Sequence, residues 1–233
     1  MSHRNCSSSS NSIAPFRRTI WAHQPYGEGD LPNLYSVVFH DELIHVTVAK
    51  KAAHVTQWIS RIRLVHCRCS HCKLLVGLDT EWCPNSVRGE DRPVAVLQLC
   101  VGQQCLIYQL LHTDCISTSL YEFLADPRYT FYGVGIKEDV KKLYTHHGLR
   151  VAETVNLSEL ITKFTNWEDG ITYSPMGLKK LAWAVLKKEM KKPLRVTLSK
   201  WDSLNLSFAQ IEYAAIDAFV SFQVAALLIR TAN

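Results

Sequence analysis

The sequence lacks an uninterrupted apolar stretch of bilayer length. Its longest candidates, Val94–Cys100 and Phe219–Ile229, are short or broken by polar residues, whereas a spanning helix needs about 20 apolar positions. No membrane partner is expected. The N-terminus has no apolar core of the kind a secretory leader carries, which argues against export. The eight cysteines are then expected in a reducing compartment, nucleus or cytoplasm, mostly as free thiols. Asp and Glu are missing from residues 1–27, which hold the run Ser7–Ser10 with Arg4, Arg17 and Arg18. That composition fits a disordered Ser-rich tail over residues 1–29 better than an organelle transit peptide. There is no internal repeat, so residues 30–233 are expected to form one domain.

What is present suits a single well-packed domain: 233 residues, 47% of them hydrophobic. The 26 Lys and Arg outnumber the 21 Asp and Glu, and a net charge of +5 is compatible with a polyanionic partner without demanding one. Tyr35–Phe39 and Leu43–Val48 carry strand residues around His40-Asp41-Glu42, which predicts a hairpin. Ala49–Leu64 has helical spacing. Leu74–Trp82 is an apolar strand that ends in acids. Val94–Val101 and Cys105–Leu111 read as two strands joined at Gly102-Gln103-Gln104, followed by a short helix over Ser117–Ala125. Thr130–Ile136 is a strand, Lys137–His146 a helix stopped by Gly148, and Val151–Asn156 a further strand. Met176–Glu189 predicts a helix. Ser207–Ile229 predicts a long one, with Ser207 and Gln210 as its capping box. Strands first, then strands alternating with helices, predict an α/β fold with a mixed sheet and helices on both faces.

The acids carry the chemistry. Asp79 and Glu81 lie two apart at a strand end, so their side chains share one face. Two carboxylates there repel unless a cation holds them, and Mg²⁺ or Mn²⁺ prefers such hard oxygen ligands. Tyr213 and Asp217, four apart, share a face of the last helix, and Asp217 sits among Ala214-Ala215-Ile216 and Ala218-Phe219-Val220. So apolar a setting implies a paired or metal-bound acid. Asp139 opens a helix, where the dipole favours negative charge. Taken singly, each acid has an ordinary explanation: a helix-stabilising first-turn acid, a solvated strand end, a partner for a buried Lys or Arg.

Three motifs in this order resemble the DEDD superfamily of 3′–5′ exonucleases, in the subgroup with a catalytic tyrosine: Asp79-Thr80-Glu81, Gly133-Val134-Gly135-Ile136-Lys137-Glu138-Asp139, and Tyr213-Ala214-Ala215-Ile216-Asp217-Ala218. Leu97-Gln98-Leu99-Cys100 and Leu198-Ser199-Lys200-Trp201 are similar to it too. Within the superfamily the chain looks most like the plant Werner syndrome-like exonucleases. The resemblance spans roughly residues 34–230. It implies a ribonuclease H-like domain with a five-stranded mixed sheet flanked by helices. It also implies catalytic roles for Asp79, Glu81, Asp139, Tyr213 and Asp217. Asp79, Glu81 and Asp217 would hold one Mg²⁺ or Mn²⁺ ion, Asp79 would bridge to a second that Asp139 reaches through water, and Tyr213 would orient the attacking water with Glu81. The substrate it implies is the 3′ end of a nucleic acid, with DNA favoured over RNA. An exoribonuclease similar to ribonuclease D, or a non-catalytic nucleic-acid adaptor on the same fold, are the competing readings. With no helicase motif, the chain is expected to act as a stand-alone nuclease unit.

Two departures, Lys137-Glu138 in the second motif and Cys83 after Trp82, touch substrate preference rather than the ligand set. His66, Cys67, Cys69, His71 and Cys72 have part of a zinc spacing but lack a second, separated ligand pair, so exposed thiols are expected. Lys137, Lys141, Lys142 and Lys179, Lys180, Lys187, Lys188, Lys191, Lys192, Arg195 read mostly as solvated helix faces, some of them lining the strand path. Trp82, Trp167 and Tyr173 are candidates to stack on terminal bases, with core packing favoured for Trp82. The polar connector Thr165–Pro175 is expected to be mobile and to border the site.

Overall fold

Sheet residues alternate between two apolar layers, and that alternation sets the architecture. The structure, a computed structural model, describes residues 21–22, 31–66, 73–87, 89–163 and 176–232. The expected tail, the cysteine-rich connector 67–72 and the connector Thr165–Pro175 lie outside these residues, apart from Trp21 and Ala22. Those two form β1 (Trp21–Ala22), which pairs with Ser36 and Tyr35 of β2 (Asn33–Phe39). β2 and β3 (Glu42–Ala49) make the expected hairpin, turning at His40 with φ 55°. α1 (Ala52–His66) follows, then β4 (Leu74–Glu81), β5 (Val96–Val101) and β6 (Gln104–Gln109). α2 (Thr118–Ala125), β7 (Tyr129–Gly133), α3 (Ile136–His147) and β8 (Glu153–Asn156) come next, and α4 (Leu157–Leu160) after them.

The strands form one mixed sheet in the order β1-β2-β3-β6-β5-β4-β7-β8. β4 lies inside it, antiparallel to β5 and parallel to β7. Five contiguous strands, β6-β5-β4-β7-β8, match the expected number, and the hairpin extends them through a parallel β3–β6 pair.

α1, α2 and α3 cover one face of the sheet, where Val55, Ile59, Phe123, Phe131, Ile136 and Leu143 form a core with Val76 and Leu78. The long helix α7 (Phe208–Ala232) covers the other with Ala214, Ala215, Ala218, Phe219 and Val224. Each large apolar side chain so buried contributes about 1.5–3 kcal/mol. By length and hydropathy Phe208–Thr231 would cross a membrane, which the broken run in the sequence does not suggest. Its window is 67% buried against the sheet, as a core helix must be. Ser207 and Gln210 cap it reciprocally: the Ser207 amide donates to Gln210 Oε1 at 2.9 Å and the Gln210 amide to Ser207 Oγ at 3.3 Å.

The expected helix over Met176–Glu189 is shorter and irregular. α5 (Leu178–Leu181) passes into a π turn over Ala182–Leu186, which ends where Lys187 turns left-handed at φ 56°. A short α6 (Leu194–Thr197) follows Pro193.

Candidate active site

Gly77 sets the geometry of the acids. A Cβ there would lie 2.0 Å from the Ala218 carbonyl oxygen, so only glycine lets α7 settle onto β4. Asp79 and Glu81 share the face of Gly77 by the strand period, and Asp217 precedes Ala218 on the helix. The result is that oxygens of Asp79, Glu81 and Asp217 lie within 4.8 Å of one another. Gly133 does the same for the second motif: a Cβ there would stand 2.6 Å from the Leu78 carbonyl oxygen. The turn from β7 into α3 therefore presses on β4 and brings Asp139 to it. Asp139, 6% exposed, accepts a 2.6 Å hydrogen bond from Thr80 Oγ1. It stands outside the close trio.

Tyr213 lies one turn before Asp217, its ring buried against Trp201 and its hydroxyl accepting from Thr197 Oγ1 at 3.2 Å. Lys192 completes the site. Its Nζ donates to Asp217 Oδ2 at 2.6 Å and stands 5.1 Å from the centre of the Tyr213 ring. Among the described residues no donor reaches the other Asp217 oxygen, Oδ1, although it is buried.

The electrostatics follow from crowding three acids around one ammonium, with Asp139 beside them. Burial raises the Asp79 carboxyl, with Lys192 working against it. Burial, together with the charges of Asp79 and Asp217, pushes Glu81 up to about 10. Asp139 rises to about 8 through burial and the charge of Asp79. Asp217 rises to about 8 through burial, which Lys192 only partly offsets. Burial lifts Tyr213 to about 12, so it stays a phenol at neutral pH. Burial alone would weaken Lys192 as a cation, but Asp217 and Asp79 outweigh it and hold the ammonium more firmly protonated than a free lysine. Such a cluster resists full ionisation until a cation enters, and clustered hard oxygens with an undonated Asp217 Oδ1 fit Mg²⁺ or Mn²⁺.

Residues 47–231 match the family model for the 3′–5′ exonuclease domain. The chain belongs to the 3′–5′ exonuclease family. A 3′–5′ exonuclease of Arabidopsis thaliana is 32% identical over 151 residues, covering 64% of this chain and 50% of the relative. Exonuclease 3′–5′ domain-containing protein 2 of Drosophila melanogaster is 32% identical over 170 residues, covering 72% of this chain and 27% of the relative. The chain thus spans half or less of the length of these relatives. Among solved structures, the EXO domain of Aedes aegypti Nibbler superposes with a TM-score of 0.65 at 15% identity, over 79% of this chain and 87% of that one. Ribonuclease D of Escherichia coli does so with 0.63 at 18% identity, over 78% and 44%. These two likenesses are of fold.

Several residues of this exonuclease domain stand elsewhere than expected. Lys192 is not on a solvated helix face. It precedes Pro193, which disfavours helix at that position, and that was the signal available in the sequence. Lys188 pairs with Asp41 at 2.8 Å. Lys137, by contrast, has the solvated position read for it, pairing with Glu159 at 2.9 Å. Lys142, almost buried, binds Asp91 and the Arg92 carbonyl and stands 4.8 Å from the Trp82 ring centre. His147 Nε2 donates to the Val94 carbonyl at 2.8 Å. These contacts clamp the segment after Glu81 onto α3, with Trp82 half-buried beneath an ammonium rather than deep in the core. Thr80, which holds Asp139, sits inside the first motif, and Thr197, which holds Tyr213, has no signature in the sequence. Trp167, Tyr173 and the candidate zinc ligands Cys67, Cys69, His71 and Cys72 lie outside the described residues, as does the side chain of His66.

Proposed function

We propose that this chain is a divalent-cation-dependent exonuclease that removes nucleotides from the 3′ end of a DNA strand. The observation that carries this reading is the meeting of Asp79, Glu81 and Asp217 within 4.8 Å at the join of β4 and α7. Asp79, Glu81 and Asp217 would hold one cation, and Asp79 with Asp139 a second. Bound there, two Mg²⁺ or Mn²⁺ ions supply Lewis acidity that makes water a competent nucleophile and offsets charge on the phosphate. The chain's own groups do the rest. Tyr213 keeps its proton at neutral pH and offers it as a hydrogen bond to water or phosphate, its hydroxyl positioned by Thr197. Glu81, next to Asp79 on the strand face, accepts from the same water. No side chain acts as a nucleophile. These groups address the phosphate, so they leave the choice of sugar to contacts further along the strand. The net charge of +5 favours a polyanion of either kind.

The test uses 5′-labelled single-stranded DNA, 3′-recessed DNA and RNA, each with Mg²⁺ or Mn²⁺. A single-nucleotide ladder on DNA that disappears in Asp79→Ala is the expected result. A ladder confined to RNA would move the substrate to RNA, the class handled by Escherichia coli ribonuclease D, an exoribonuclease. No ladder on any substrate with either metal would overturn the catalytic reading in favour of a binding module.

A further inference from the structure

Lys192 is a charged feature of the site that the ligand set does not call for. Among the described residues it is the sole Lys or Arg within ion-pair distance of any of the four acids. It engages the most deeply buried of the trio: Asp217 is 1% exposed, and its Oδ2 accepts at 2.6 Å. The lysine side chain itself is 30% exposed, so its ammonium has a way out to solvent that needs no unfolding. Its backbone lies between the left-handed turn at Lys187 and α6, in a stretch without helix or strand. A side chain anchored on such a segment can swing.

We propose that Lys192 is a counter-ion built into the cation seat, a positioning residue that keeps the metal-free acids assembled and that an incoming divalent ion must displace from Asp217. The inference rests on the metal-dependent reading above. Its physics is competition for one carboxylate. An ammonium and a divalent ion a few ångströms apart repel, and even at the dielectric of water this weakens metal binding on the order of tenfold. The seat is thus pre-formed at low metal and loads only above a threshold concentration set by the lysine. Once displaced, the ammonium lies beside Tyr213, where the next anion to arrive is the phosphate of the strand.

The test measures Mn²⁺ affinity by calorimetry, without nucleic acid, for the wild type, Lys192→Met and Lys192→Arg. Lys192→Met is expected to bind about tenfold more tightly, and Lys192→Arg, which restores the charge, to return to within about threefold of the wild type. Unchanged or weaker binding by Lys192→Met overturns the proposal, as does an Arg variant as tight as the Met variant. Metal-free Lys192→Met is expected to melt below the wild type and to recover with saturating Mn²⁺. A loss that Mn²⁺ leaves in place would make Lys192 a fold residue only and overturn the proposal. Lys192→Gln, which keeps a polar tip, serves if the Met variant does not fold. Wild type that binds while Lys192→Met is unaltered sinks this inference alone. Wild type with no saturable Mn²⁺ binding sinks it together with the metal-dependent reading.

Discussion

The two sides of the carboxylate cluster are built on different plans. On one side, β4 and α7 are long and regular and lock together where Gly77 admits the Ala218 carbonyl. On the other, the chain from Leu178 to Ser203 is assembled from α5, a π turn, a left-handed lysine and the four-residue α6. The regular side carries Asp79, Glu81, Tyr213 and Asp217. The irregular side carries Lys192 and Thr197, which touch those groups from outside. A ligand set needs fixed oxygens, and regular elements hold side chains more precisely than loops do. A counter-ion that must move is better placed on a segment with few regular hydrogen bonds.

The strongest way to break this contrast is to separate β4 from α7. Gly77→Val would drive a branched side chain into helix backbone that no rotamer change relieves. The expected cost is about 3 kcal/mol or more, read as a lower urea midpoint, together with loss of Mn²⁺ binding as Asp217 is moved off Asp79. Retained stability with lost metal binding would mean that the contact tunes the site alone.

A smaller change strikes within the regular side. Tyr213→Phe keeps the ring against Trp201 and removes only the hydroxyl that Thr197 holds. Turnover is expected to fall about a hundredfold, with Mn²⁺ affinity unchanged in calorimetry. If metal binding fell too, Tyr213 would be structural.

Metal removal gives the third effect, and its sign follows from the direction of the shifts. Asp139 and Asp217 rise to about 8 in the folded chain, each chiefly through burial. The folded state then binds protons more tightly than the unfolded one. Metal-free protein in EDTA should lose stability as pH rises from the ordinary carboxylate range to about 8, with Glu81 continuing the loss toward about 10. Lys192 stays charged throughout and does not alter the sign. Saturating Mn²⁺ should flatten the slope by stabilising the ionised acids. Burial lowers His147, which adds an opposite slope up to the ordinary histidine range, so a Tm of metal-free protein that climbed between about pH 7 and 8 would show that the acids are not crowded as described.

The same contrast explains what could be read from the sequence. Strand and helix periods are local, so the hairpin, β4 to β8, α3 and α7 could all be placed from the sequence, and the spacing of Asp79, Glu81, Tyr213 and Asp217 identified shared faces. The closeness of β4 to α7 depends on Gly77, whose lack of a side chain gives no periodic signal. Lys192 joins Asp217 across 25 residues, a contact that depends on the path of the chain and not on spacing. The run of lysines around it concealed that contact, since most long basic side chains in such a run are solvated. Thr80 and Thr197 are ordinary threonines until the fold gives them partners.

The smallest expected effect concerns the turn that aims this irregular side. Lys187 sits at φ 56°, a conformation costly for a residue with a Cβ, and its Nζ donates to the Ala184 carbonyl at 3.0 Å. Lys187→Gly removes the backbone strain, at the cost of a more flexible unfolded chain and that one exposed hydrogen bond. The balance is a gain of about 0.5 kcal/mol, or about 1–2 °C in Tm for a domain of this size. Lys187→Val, β-branched at the same position, should instead lose about 1 kcal/mol. Nuclease activity should be unaltered by the glycine, because the turn keeps its direction and Lys192 keeps its reach to Asp217. If Lys187→Gly loosened the segment enough to tighten Mn²⁺ binding, the left-handed turn would be what holds Lys192 in the seat, and the irregular side would owe its aim to strain at Lys187.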